Sequence, residues 1–131
     1  MSNRATRIIR MVNGGLFVLT ALGATGTAIA EDAPRAWVAS PEIYRVLTVN
    51  DQFRLIKGTT KPGQGDVFHS HKVLVNYFLT SCDLRRTMPN GTTTDFRGIP
   101  EGWSQAEPPV KSHSIKNIGK SDCEILLFEL N

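Results

Sequence analysis

From Ile43 to the C-terminus, turn-forming residues cut the chain at short intervals, and no stretch between the cuts shows the sustained 3.6-residue apolar period of an amphipathic helix. Strand-like runs occupy Tyr44–Val49, Phe53–Thr60, Lys72–Leu79, Asp83–Met88, Thr92–Phe96, Trp103–Glu107, Ser112–Asn117 and Glu124–Leu130. Asn50-Asp51, Lys61-Pro62-Gly63, Pro89-Asn90-Gly91, Gly98–Gly102, Pro108-Pro109 and Gly119–Asp122 separate them with turn chemistry. Eight short strands at near-even spacing predict an all-β domain, a sandwich or a small barrel. The 131 residues leave room for one such domain.

Residues 1–30 read differently. Arg4, Arg7 and Arg10 make a positive start, Leu16–Leu22 a short apolar segment, and Ala28-Ile29-Ala30 a small-residue cleavage site before Glu31-Asp32. That order is expected of a cleavable signal helix, with cleavage after Ala30 and a periplasmic or secreted product. The rival reading, an uncleaved anchor, suffers from the weakly apolar Gly, Ala and Thr of the second half, so no stable membrane anchor is expected. Residues 31–43 are polar and punctuated by Pro34 and Pro41. They read as a flexible leader that Trp37 tacks onto a domain at 44–131.

The formal net charge of +3 comes from the three N-terminal arginines, and the rest of the chain carries twelve charges of each sign. Nucleic-acid binding rests on neutralising phosphates, so this domain is not expected to bind nucleic acid.

The three histidines are the most informative residues. His69 and His71 stand two apart, which on a strand points both rings to one face. His113 lies on another predicted strand that a barrel would bring opposite them. Imidazole suits Zn, Fe, Ni and Cu, and three such ligands leave coordination positions open. Set against this, a His-x-His pair alone is more often coincidence than a ligand pair.

The surrounding spacing adds to it. Gly63-x5-His69-x-His71 matches the opening of the first cupin motif. Gly102-x5-Pro108-x-Val110-x2-His113-x3-Asn117 matches the second, with Val110 where the family has Gly. The chain resembles a small single-domain bacterial cupin over Val46 to Leu130. The resemblance implies a jelly-roll β-barrel of short antiparallel strands with a divalent metal ion in its mouth, a small-molecule substrate or ligand, and pairing as a homodimer.

Two positions depart from the family pattern. Asn76 stands where the first motif carries a Glu ligand, and Asp83 where it carries Gly. Three neutral imidazoles leave a bound divalent ion its full charge of about +2, which favours anionic or chelating substrates. Asn76 is then either a weak ligand or a hydrogen-bonding neighbour of the open positions. The site resembles three-His cupins such as the thiol and diketone dioxygenases, which implies Fe2+ and dioxygenase-type chemistry, with Mn, Ni, Zn or Cu as other occupants. The alternative is a non-catalytic small-ligand-binding barrel whose metal site has decayed.

Other residues carry two readings each. Phe68, Tyr77, Phe78 and Trp103 line either the pocket mouth or, more commonly for aromatics on strands, the core. Arg85 and Arg86 face opposite sides of a strand, so at most one enters the barrel, where it would pair with a substrate carboxylate; an outward solvated charge is the default. Asn90-Gly91-Thr92 is a glycosylation sequon but reads better as a hairpin turn. Asn117 is expected to tie down the turn before Gly119. Export favours a Cys82–Cys123 disulfide. Against it, the two residues would begin strands at opposite ends of a sheet if those strands pair antiparallel.

Overall fold

The computed structural model describes residues 31–131. The signal-helix reading of residues 1–30 lies outside the described residues. Nine strands follow a four-residue helix, α1 (Ala36–Ala39): β1 (Tyr44–Val49), β2 (Phe53–Thr60), β3 (His69–His71), β4 (Leu74–Phe78), β5 (Cys82–Thr87), β6 (Thr93–Ile99), β7 (Ser104–Glu107), β8 (Val110–Asn117) and β9 (Cys123–Leu130). The eight expected runs are present with ends moved by a few residues, and β3 is an additional strand of three residues.

All pairings between strands are antiparallel. They form a five-stranded sheet, β1-β2-β9-β4-β7, and a four-stranded sheet, β3-β8-β5-β6. The fold is a jelly roll of these two sheets, as the sequence predicts.

The period-two pattern of each strand decides what lies between the sheets. Cys123, Leu127 and Glu129 of β9 are buried on one face, as are Ile56, Gly58 and Thr60 of β2. Ile43, Tyr44, Ile56, Leu74 and Leu127 make one apolar cluster, and Phe78 with Cys82 and Cys123 makes a second. Gly58 is required where it stands, because a Cβ there would lie 2.9 Å from Cε1 of Tyr44. The bare backbone lets the Tyr44 ring lie across β2. Gly91, at φ 83°, turns the β5–β6 hairpin as expected.

Cys82 and Cys123 form a disulfide with a Cα–Cα distance of 5.3 Å. The geometric objection fails because β5 and β9 do not pair: they belong to opposite sheets, and their first residues meet across the interior.

Residues 33–40 are sewn onto β3. Ser70 N donates to the Pro34 carbonyl at 2.8 Å, Ser70 Oγ to the Ala33 carbonyl at 2.5 Å, and Val67 N to Ser40 Oγ at 2.9 Å. Ala33 N reaches the Lys111 carbonyl on β8 at 3.0 Å. Trp37 packs on the first apolar cluster, with the Arg54 guanidinium 4.1 Å above its ring. What reads in sequence as a leader attached by one Trp is thus also held by backbone and serine hydrogen bonds to the strand that bears two histidines.

Candidate metal centre

β3 and β8 carry the three histidines, and their register sets His69 directly opposite His113. A bulge between His69 and His71 shifts the pairing so that His71 faces Val110. Both β3 rings nonetheless turn inward, as their spacing predicts. His69 Nε2 lies 3.0 Å from His71 Nε2 and 3.1 Å from His113 Nε2. The trio is buried, and its ligand atoms all fall within 4.8 Å of one another.

Hydrogen bonds on the far side of two rings define what the facing nitrogens can do. His69 Nδ1 lies 2.9 Å from the Val67 carbonyl, which can only accept, so the neutral ring carries its proton on Nδ1 and its lone pair on Nε2. His71 Nδ1 donates in the same way to Glu129 Oε2 at 2.8 Å. With both rings neutral, two lone pairs face each other at 3.0 Å. That is unfavourable unless a proton or a metal cation sits between them. Metal–nitrogen bonds of about 2.1 Å at a right angle would hold two ligand nitrogens about 3 Å apart, so the observed spacing fits one shared ion.

His113 is held otherwise. Its Nδ1 is buried without a hydrogen-bond partner. The ring instead packs edge-on against His69 and His71, at centroid distances of 4.7 and 5.3 Å.

Burial also keeps two of the rings, His69 and His113, neutral. It is the main cause that lowers His69 to a pKa of about 4, followed by the charge of His71. His113 is lowered to about 3, again by burial first and then by His69 and His71. Lone pairs are thus available on both at neutral pH.

Two buried carboxylates stand behind the trio, and neither is a fixed position of the spaced motifs that carry the histidines. Glu129, besides holding His71, lies 3.4 Å from Arg35 Nη1 and accepts from Lys72 N at 3.3 Å. Asp66 accepts from the Tyr44 hydroxyl and from Ile115 N, both at 2.6 Å, and its Oδ2 lies 3.5 Å from His69 Nδ1. Burial raises Asp66 to about 6, against the lowering effect of those two donors. Burial, then Asp66, raises Tyr44 well above its usual range. Glu129 carried a sequence signal: it continues the inward series Cys123, Ile125, Leu127 of its strand, where a charge calls for a buried partner.

His71 and His113 adjoin an apolar cavity of about 130 Å³ between the sheets. Asn76 lines it together with His71 and His113, and its Oδ1 is buried without a hydrogen-bond partner. Phe78 and Trp103 also line it, whereas Phe68 and Tyr77 face outward and are neither core nor lining. Arg85 is the outward arginine, paired to Asp95 at 2.6 Å, and Arg86 is the inward one. Asn117 does what its position predicts: it donates to the Thr60 and Ser121 carbonyls and accepts from Gly119 N, each at 2.9 Å.

No family model and no curated protein matches this sequence. Solved structures do match the fold. A cupin domain from Bordetella pertussis Tohama I is 21% identical over 76% of this chain and 96% of its own, with a TM-score of 0.59. An uncharacterised conserved protein with a double-stranded β-helix domain from Klebsiella pneumoniae is 17% identical over 67% of this chain and 75% of its own, with a TM-score of 0.55. A cupin superfamily protein from Desulfitobacterium hafniense is 13% identical over the same shares, with a TM-score of 0.51. The architecture is that of the cupin jelly roll.

Proposed function

We propose that this protein is an exported metal-binding cupin in which His69, His71 and His113 hold one divalent cation, and that it acts as a dioxygenase-type enzyme on a small anionic or chelating substrate. The facing Nε2 lone pairs of His69 and His71, 3.0 Å apart and fixed by acceptors behind each ring, carry the metal reading. The cation would supply Lewis acidity and, as Fe2+, redox chemistry at positions the imidazoles leave open. Around it, Glu129 and the Val67 carbonyl fix the orientation of two ligands. Phe78, Leu84 and Ile99 contribute apolar walls to the cavity. Asn76 Oδ1 offers an unoccupied acceptor beside the histidines.

One observation favours a second reading, a small-ligand-binding barrel without turnover. Asn76, at the position of the motif's carboxylate ligand, brings no negative charge to the trio.

Export is supported by the order of charge, apolar segment and small residues in 1–30, and by a disulfide of the kind that oxidising compartments preserve. Pairing as a homodimer is supported by Val75, Tyr77 and Phe128, exposed on the outer face of the five-stranded sheet with Val75 paired to Phe128. Light scattering on the wild type and on Phe128→Glu tests it, with a shift from dimer to monomer expected.

Metal analysis of untagged protein isolated from the periplasm tests the central reading. About one equivalent per chain, lost in His113→Ala, is the expected result. Substoichiometric metal unchanged by that substitution overturns it. Oxygen uptake with a panel of thiols, diketones and carboxylates then separates the enzyme from the binding barrel.

A further inference from the structure

Arg85 and Arg86 are neighbours in sequence with opposite fates. Arg85 reaches outward, where its Nε and Nη2 engage both oxygens of Asp95 at 2.6 and 3.0 Å. Arg86 turns inward and lines the cavity beside His113, His71 and Asn76. Its guanidinium lies 5.1 Å from the centre of the Phe96 ring. Its Nε is buried without a hydrogen-bond partner, and no acid among the described residues pairs with it. Glu107, the one carboxylate among the described residues that lines the cavity, makes no ion pair with it either.

Arg86 is half-buried and only its Nε is enclosed, so a bound anion would pair with a donor that water does not satisfy, and the planar fork matches a carboxylate through two parallel hydrogen bonds. Among the described residues, Arg86 is also the only Lys or Arg that lines the cavity. Its charge is among those holding His113 below the usual imidazole range, so it lies within the field of the histidine trio. The surrounding walls are apolar, with Phe78, Leu84, Phe96, Ile99 and Trp103 contributing. The volume of about 130 Å³ is close to that of an apolar cavity of about 150 Å³ that accepts benzene. Glu107 at the same cavity disfavours a second negative charge on the occupant.

We infer that the cavity takes a small monocarboxylic acid whose apolar body is no larger than about one ring, with its carboxylate paired to Arg86. This rests on the reading that the cavity beside the histidines is the substrate site, and it names the substrate class and the residue that selects it.

Calorimetric titration with benzoate and with benzamide, its neutral counterpart of like shape, tests the pairing on zinc-loaded and on chelator-treated protein. The wild type is expected to prefer benzoate by about 10-fold or more, the factor that one hydrogen bond to a charged group supplies. Arg86→Met is expected to lose that preference while binding benzamide as before, which shows the cavity intact. Arg85→Met is expected to keep it. If Arg86→Met does not fold, Arg86→Lys serves, with a weakened preference expected from the loss of the planar fork. Failure of the wild type to bind benzoate or straight-chain acids of four to six carbons overturns the inference. So does equal affinity for acid and amide, or a preference that survives loss of the arginine. Zinc content is measured in the same samples. A charge preference in protein that takes up no zinc when zinc is added defeats the metal reading alone, and zinc held without any charge preference defeats this inference alone.

Discussion

Glu129 Oε2 accepts a hydrogen bond from His71 Nδ1 at 2.8 Å across 58 residues of sequence, and both side chains are shut away from solvent. The carboxylate fixes which ring nitrogen faces the other histidines and makes that nitrogen a better donor to a cation. Glu129→Gln keeps the size of the side chain and removes its charge. It should weaken metal affinity by about 10–100-fold, measured by competition with a chromophoric chelator. An unchanged affinity would show that the ring is oriented without Glu129.

Acid should destabilise the metal-free protein. Folded His69 titrates at about 4 and His113 at about 3, both below the 6.5 of an unperturbed imidazole. As the pH falls through 6.5 toward these values, the unfolded chain takes up protons that the folded one refuses, so stability is lost across that window. Asp66 acts in the opposite direction. Its folded value of about 6, above the ordinary 3.8, favours the folded state below 3.8, and that contribution is lost as the pH rises through 6. Two histidines outweigh one aspartate, so the melting temperature of chelator-treated protein should fall from pH 7 to pH 4. His113→Gln should flatten the curve, and a melting temperature that rises on acidification would contradict the burial described.

The Cys82–Cys123 bridge closes a loop with a sequence separation of 41. A loop of that length removes unfolded-chain entropy worth about 4 kcal/mol, with measured bridges commonly giving 2–4 kcal/mol. The Cys82→Ser, Cys123→Ser double variant should lose about that much in denaturant unfolding. Because the bridge packs in the cluster with Phe78, which contains none of the three histidines, metal stoichiometry should survive.

Tyr44→Phe deprives buried Asp66 of one of its two side-chain-directed donors. Leaving a buried acceptor short of a partner costs about 1–3 kcal/mol, which equilibrium unfolding would detect. Gly58→Ala should cost a comparable amount by a different route, since the added methyl meets the Tyr44 ring at 2.9 Å. Stability equal to wild type in both variants would mean that the ring does not hold Asp66.

The turn residues and the two spaced motifs made the strands and the histidine trio legible. His69, His71 and His113 announce themselves because their spacing is local, within a strand or within a motif. Glu129 and Asp66 escape such local patterns because their contacts run across the barrel, to a ring 58 residues away and to a hydroxyl 22 residues away. The cysteines mislead for a related reason. Whether two strands pair or face each other depends on how nine strands divide between two sheets, which no single strand encodes. Arg86 could be narrowed to one of two adjacent positions by alternation, and Asp95 on the neighbouring strand decided which.

The hydrogen bonds from residues 33–40 to β3 have one more effect. β3 ends the four-stranded sheet, and Arg35 pairs with Ser70 along its outer side while Pro34 takes the Ser70 amide. A bare strand end of this kind is a template on which a foreign polypeptide can add itself and aggregation can begin. By occupying it with its own N-terminal stretch, the chain keeps the segment bearing His69 and His71 closed to intruders.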